Sequence, residues 1–139
     1  MRSVAAFGAL ILLFAFSASS GEAPEVKDLL VQIAGKEKLP AKQVFKNVKL
    51  LGDIPAERLL RIMDLGYSQA LGVSCDHCHV EDRWEADEKR PKRAAREMIL
   101  MTSEINDQLG KMEEIDTGDA TVNCTTCHRG YVKPALQMK

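Results

Sequence analysis

Apolar residues recur at helical spacing in three parts of the 139-residue chain, and each part ends at or near a glycine. The first part, within residues 21–40, ends at Gly35 and predicts a short peripheral helix. The second follows Pro55 and ends at Gly72, and the third begins at Pro91 and ends at Gly110. The apolar positions are Val26, Leu29, Leu30 and Ile33, then Leu59, Met63, Tyr67 and Ala70, then Ala94, Met98, Met101, Ile105 and Leu109. We therefore predict an all-α protein of few helices.

The N-terminus has the pattern of a secretory signal peptide. Arg2 precedes an apolar run over residues 4–16, and Ala18, Ser19 and Ser20 are small residues suited to cleavage. The run is too short for an ordinary transmembrane helix. We expect residues 1–20 to be removed near Ser20 and residues 21–139 to form one exported, periplasmic domain. An uncleaved signal would instead tether the protein to a membrane.

Two copies of the pattern Cys-x-x-Cys-His predict the chemistry, one at residues 75–79 and one at 124–128. This spacing is typical of a c-type haem, which is held by two thioether bonds and by a proximal histidine on the iron. The two copies use all four cysteines and two of the three histidines. We predict two covalently bound haem c groups, attached through Cys75, Cys78, Cys124 and Cys127, with His79 and His128 as iron ligands.

Histidine cannot supply the second axial ligand of both irons, because only His77 remains. That residue lies between two haem-anchoring cysteines and is expected to be exposed. Methionine is the remaining soft ligand. Met63 precedes the first motif and Met101 the second, but Met98 lies on the same helix face as Met101. Ordinary core packing is the alternative role for each of these methionines, and Met112 is a weaker candidate.

The cysteines have two other interpretations, a zinc site and two disulfides. Neither explains a histidine after each cysteine pair, and the gap between Cys78 and Cys124 is longer than in zinc ribbons. The domain after residue 20 has only four aromatic residues, which fits a core completed by cofactors. With Arg2 removed, 18 basic residues face 20 acidic ones, a net charge of about −2, and nothing suggests nucleic acid binding.

The segments between the helices and motifs are polar or extended. Residues 43–51 alternate like a strand but have no second strand to pair with, so we predict an extended connector that packs on the haem region. Residues 81–93 are strongly charged around Trp84 and predict a solvated loop. Residues 113–119 form an acidic loop. Both charged loops are candidate docking surfaces for a partner.

Six segments together carry a resemblance to a known family: Val44–Gly52, Leu60–Met63, Ala70–Cys75, Lys92–Met98, Met101–Asn106 and Cys124–Gly130. Their residues and order resemble the cytochrome c subunit of photosynthetic reaction centres over roughly residues 43–131. That family is similar to two di-haem units joined in one polypeptide, and this sequence matches a single unit. The signal has no cysteine at its end for the lipid anchor common in the family. The resemblance implies that Met63 and Met101 are the distal iron ligands.

These observations predict an electron carrier rather than an enzyme. Two irons that each have a histidine and a methionine ligand leave no open position, so electrons would pass by outer-sphere transfer to redox partner proteins. The alternative function is a small haem peroxidase or gas-reactive protein with one open iron site.

Overall fold

The computed structural model describes residues 22–115 and 120–137. The predicted signal peptide and residues 116–119 of the predicted acidic loop 113–119 lie outside the described residues. In these ranges the chain is all-α, as predicted, and contains no strand. None of the described helices has both the length and the apolar character needed to cross a membrane. The elements are α1 (Pro24–Gln32), α2 (Ala41–Val44), α3 (Ala56–Arg61), a π-helical segment (Ile62–Ser68), α4 (Gln69–Leu71), a 3₁₀ turn (Cys75–His77), α5 (Arg90–Leu109) and α6 (Cys124–His128).

Helix α1 contributes to the main apolar core, so the prediction that it is peripheral was wrong. Val26 and Ile33 are buried together with Ala56 and Leu60 of α3. Because burial of aliphatic side chains is the dominant stabilising term in such a small core, α1 is part of the scaffold. The backbone N–H of Ala23 also donates a hydrogen bond of 3.2 Å to the buried Asp64 carboxylate.

The helix predicted between Pro55 and Gly72 is confirmed, but it is not uniformly α-helical. Its middle, Ile62–Ser68, forms a π-helical segment that includes Met63 and Tyr67. Gly72 ends the helix with φ +65°, the left-handed conformation that glycine adopts most easily. All four residues of the predicted apolar face are buried or half-buried, at positions 59, 63, 67 and 70.

The connector predicted to be extended over residues 43–51 begins inside α2. The backbone N–H of Phe45 donates to the carbonyl of Ala41 at 2.8 Å and closes a helical turn after Pro40. The side chains of Val44 and Phe45 pack against the core of α1 and α3. They therefore belong to the apolar core of the scaffold, whereas the sequence placed them on the haem region.

The second long helix, predicted between Pro91 and Gly110, is confirmed as the 20-residue α5. No residue of α5 is buried against the rest of the described chain. The apolar face of this helix was expected to point inward, but on it the side chains of Met98, Met101 and Ile105 are 46%, 45% and 38% exposed. Helix α5 therefore carries an open apolar strip between its two ends.

Candidate haem sites

The first Cys-x-x-Cys-His segment forms a tight turn directly after the core helix. The backbone N–H groups of Cys78 and His79 both donate to the carbonyl of Cys75, at 3.2 and 3.0 Å. Both thiols are half-buried, and burial raises the pKa of Cys75 and Cys78. The turn therefore gathers two sulfurs and an imidazole within five residues.

The imidazole of His79 is fixed in one tautomer. Its Nδ1 lies 2.9 Å from the backbone carbonyl oxygen of Trp84. Because a carbonyl only accepts, Nδ1 carries the proton, and Nε2 keeps the lone pair that an iron ligand needs. Burial lowers the pKa of His79, which favours the neutral ring. The indole of Trp84 lies beside it, with ring centroids 5.6 Å apart.

The charged loop that follows the first motif is tied to the body of the protein on its inner side. The Asp87 carboxylate forms ion pairs with Lys49 at 3.1 Å, Arg96 at 2.9 Å and Lys92 at 3.4 Å. Among the described residues, its Oδ1 takes part in ion pairs but has no hydrogen-bond partner. The Arg96 guanidinium is the main group that holds the pKa of Asp87 far below its usual range. The prediction of a solvated loop holds for the exposed Glu81, Asp82, Arg83, Glu85 and Glu88 but not for this inner side.

The second Cys-x-x-Cys-His segment forms the short helix α6, which starts at a capping box. The Asn123 side chain accepts from the backbone N–H of Thr126 at 3.2 Å, and the Thr126 hydroxyl accepts from the N–H of Asn123 at 3.1 Å. Nδ1 of His128 lies 3.0 Å from the carbonyl oxygen of Tyr131. The two histidines predicted as iron ligands thus share one arrangement, with Nδ1–H donated to a backbone carbonyl farther along the chain.

A side-chain amide connects α5 to the second motif. Asn106 Oδ1 accepts from the backbone N–H of Val122 at 2.7 Å, and its Nδ2 donates to the Val122 carbonyl at 3.0 Å. Asn106 is part of the segment Met101–Asn106 that carries the family resemblance. As a polar residue directly after Ile105 in a predicted helix, it gave no other signal of this role.

The two motifs meet at a pair of glycines. The backbone N–H of Gly130 donates to the carbonyl of Ala70 at 2.8 Å, and the Gly130 carbonyl lies directly against Gly72. Because Gly72 is three residues before Cys75 and Gly130 two residues after His128, the Cα atoms of Cys75 and His128 are within about 23 Å of each other. The two candidate sites are therefore neighbours.

Tyr67 lies near one cysteine of each motif. Burial raises the pKa of its phenol, and the nearby Cys124 and Cys78 raise it further. The π-helical segment that carries Tyr67 also contacts α6. Met63, a candidate ligand on the same segment, is half-buried.

The other candidate ligands lie along α5. Met101 lines a cavity of about 440 Å³ together with Ile105, Leu109 and Met112, whereas Met98 is not part of its lining. A second cavity of about 490 Å³ borders Cys75. The structure thus brings Met101 and the weaker candidate Met112 to one place and leaves Met98 apart from them.

These residues fit covalently bound haem. Each motif offers two free thiols and an imidazole whose Nε2 is available. Polar contacts hold α5 at both ends, through Arg96 and Asn106, and leave an apolar strip between them that suits a large flat apolar group. The alternatives fit less well. The cysteines are not paired as disulfides, and no three potential metal ligands among the described histidines, cysteines and carboxylates converge as a zinc site would require.

Comparison with known proteins identifies the family. A family model described as the photosynthetic reaction centre cytochrome c subunit matches residues 15–137. The photosynthetic reaction center cytochrome c subunits of Roseobacter denitrificans and Rubrivivax gelatinosus are 35% and 37% identical over 105 and 95 residues, which cover 73% and 68% of this chain and 28% and 25% of theirs. Cytochrome c-554 of Chloroflexus aurantiacus is 32% identical over 82 residues, 59% of this chain and 20% of its own.

The chain thus spans about a quarter of the length of the curated relatives it matches. The match includes both motifs, and membership implies covalently bound haem c. This chain belongs to the photosynthetic reaction centre cytochrome c subunit family.

Proposed function

We propose that this protein is a periplasmic di-haem c-type cytochrome that carries electrons by outer-sphere transfer. The observation that carries the proposal is the shared geometry of the two motifs, in which each histidine donates Nδ1–H to a backbone carbonyl and keeps Nε2 available. The ligand sets are Cys75, Cys78, His79 and Met63 for the first haem, and Cys124, Cys127, His128 and Met101 for the second.

Bound haem supplies an iron that changes oxidation state, and the protein residues set its position and its potential. The thioether bonds fix the macrocycle to the two turns. The hydrogen bonds from Nδ1 orient the imidazoles and raise their basicity. Met63 and Met101 would supply the remaining ligand of each iron, and a thioether ligand would favour the ferrous state. With no open iron position, the chemistry would be limited to electron transfer.

The contact between the motifs supports transfer from one haem to the other within the chain. Gly72 and Gly130 hold the two motifs together, and the half-buried Tyr67 lies near a cysteine of each. A fixed arrangement also limits the structural change that accompanies a change of iron oxidation state. Both features suit a carrier that accepts an electron at one haem and releases it from the other.

Export and partners follow from the N-terminus and from the surface. The signal pattern over residues 1–20 supports a periplasmic location for the mature domain, with a donor and an acceptor protein as its partners. The exposed outer side of the charged loop near Trp84, including Arg83 and Glu88, and the exposed acidic residues Glu113 and Glu114 are the proposed docking surfaces.

The first experiment counts haems and tests for an open iron. The purified mature protein is expected to contain two covalently bound haems per chain by its alkaline pyridine spectrum. Both irons should be low-spin, with a sulfur-to-iron band in the red. Carbon monoxide should bind neither ferrous haem quickly. Fast binding at one haem, together with peroxide turnover, would instead establish the gas-reactive or peroxidase function.

The second experiment assigns the methionines. Met63→Ala and Met101→Ala should each convert one haem to a high-spin spectrum and leave the other unchanged, because each removes one distal ligand. Met98→Ala is the matched control on the same helix, and both haems should remain low-spin. If Met98→Ala produced the high-spin haem and Met101→Ala did not, the ligand assignment on α5 would be reversed.

A further inference from the structure

The Trp84 carbonyl oxygen that orients His79 accepts a second donor. Lys92 Nζ lies 2.7 Å from this oxygen, and His79 Nδ1 lies 2.9 Å from it. Lys92 also donates to the Ala86 carbonyl at 2.9 Å and pairs with Asp87 at 3.4 Å. Its side chain is only 11% exposed. The ammonium group is therefore fixed at the oxygen that supports the first proximal histidine.

The second proximal histidine has a different environment. His128 Nδ1 lies 3.0 Å from the Tyr131 carbonyl in an exposed turn. Within the described part of the chain, no lysine or arginine side chain donates to that carbonyl. The two histidines thus have the same hydrogen bond, but among the residues that the structure describes only the acceptor of His79 is shared with a cation.

A shared acceptor changes the electron-donating strength of the histidine. A carbonyl that accepts Nδ1–H makes the imidazole a stronger donor to iron, which favours the ferric state. A lysine that donates to the same oxygen withdraws electron density from that oxygen. The hydrogen bond between the oxygen and Nδ1–H is therefore weaker. The nearby positive charge also favours the iron state of lower charge, which is the ferrous state. Both effects raise the reduction potential.

We propose that Lys92 is a positioning residue that raises the reduction potential of the haem bound by His79, by sharing the Trp84 carbonyl with the Nδ1–H of that histidine. The inference rests on the proposed function in one respect, that His79 is an iron ligand. Lys92 itself does not contact the reacting iron. Its effect passes through one backbone oxygen, and it distinguishes the two haems of the chain.

The test is a spectroscopic redox titration of the full-length holoprotein and three variants. Lys92→Met removes the donor and the charge but keeps the length of the side chain, and it should shift one of the two transitions to lower potential. Lys92→Arg keeps both and should restore that transition toward its original value. Arg93→Met is the matched control. It removes the same charge at the next residue and frees the loop carbonyls of Asp87 and Glu88, so it should shift the potential less.

Several outcomes would overturn the proposal while leaving the proposed function intact. These are an unchanged potential in Lys92→Met, an equal shift in Arg93→Met, or no restoration by Lys92→Arg, each with two haems still bound. Haem stoichiometry and the low-spin spectrum, measured on the same samples, test the proposed function separately.

A measurement on the unaltered protein covers the case in which Lys92→Met fails to assemble. Nuclear magnetic resonance of the holoprotein with labelled histidine reports the Nδ1–H proton of each proximal ring. The proposal expects a weaker hydrogen bond, and thus a less downfield proton, for His79 than for His128. A more downfield proton for His79 contradicts it.

Discussion

Gly72→Ala tests the contact that joins the two motifs. Gly72 has φ +65°, and a Cβ atom added there would lie 2.1 Å from the carbonyl oxygen of Gly130 and 2.9 Å from its carbon. Both neighbours are backbone atoms, which cannot turn aside as the end of a side chain can. The substitution therefore forces the two turns apart, and the hydrogen bond from Gly130 to Ala70 lies directly at this contact.

The expected loss of stability has two parts. The left-handed conformation costs an alanine roughly 1–2 kcal/mol. Loss of the hydrogen bond between Gly130 and Ala70 costs about 0.5–1.5 kcal/mol more. Gly35→Ala is the matched control, because Gly35 has φ +81° but nothing within 4 Å of an added Cβ atom. It should show only the first part, so the two variants should differ by about 1 kcal/mol.

The assay is urea unfolding of the two holoproteins, followed by the absorbance of the haems and by circular dichroism. With a slope near 2 kcal/mol per molar urea, the midpoints should differ by about 0.5 M. Gly72→Ala should also change the spectrum of both haems, since each motif is joined to the contact. Equal midpoints for Gly72→Ala and Gly35→Ala would refute the reasoning, because the steric part would then have no energetic effect.

Three further predictions concern the polar contacts around the motifs. Asn106→Ala should destabilise the protein by about 1–3 kcal/mol, because both polar groups of Val122 lose their partner; amide hydrogen exchange at Val122 should become faster. Asn123→Ala should cost about 1 kcal/mol in urea unfolding, through loss of the helix cap. Asp87→Asn should flatten the acid dependence of stability below about pH 4, where wild-type stability falls, and Glu81→Gln should not.

The sign of the Asp87 prediction follows from the direction of its pKa shift. The Arg96 guanidinium, followed by Asn47 and Lys49, holds the pKa of Asp87 far below its usual range. The stabilisation is therefore complete above the unfolded-state pKa and is lost as pH falls toward the folded-state value. An equally steep acid limb in Asp87→Asn would show that other groups control the loss. Unchanged hydrogen exchange at Val122 in Asn106→Ala would contradict the role assigned to Asn106. An unchanged urea midpoint in Asn123→Ala would contradict the role of Asn123 as a helix cap.

The sequence predicted the long helices well because their signals are local. Apolar spacing and flanking proline and glycine residues placed the helices that end at Gly72 and Gly110. The π-helical segment could not be predicted. It has only seven residues, and over that length a π-helical turn, with about one residue more than an α-helical turn, leaves the apolar pattern almost unchanged. The role of α1 was also missed, because its partner in the core, α3, lies more than twenty residues away.

Local spacing predicts the chemistry of the candidate sites, but the contacts that hold those sites in place could not be predicted. The Cys-x-x-Cys-His spacing itself predicts thioether attachment and a proximal histidine. By contrast, Asp87 meets Lys49 across 38 residues, and Asn106 meets Val122 across 16. Gly72 and Gly130 are farther apart still. Such contacts depend on how the backbone folds back, which no local pattern of residue types specifies.

The glycine contact also limits how the chain can be divided. Its order of helix, methionine, loop and motif occurs twice and suggests tandem duplication of a smaller cytochrome. However, Gly130, in the turn after the second motif, donates its N–H to the carbonyl of Ala70. The Gly130 carbonyl lies against Gly72, at the end of the helix that precedes the first motif. A fragment that stops after α5 would lose both contacts. The two halves are thus not interchangeable modules, because each uses a backbone contact that the other supplies.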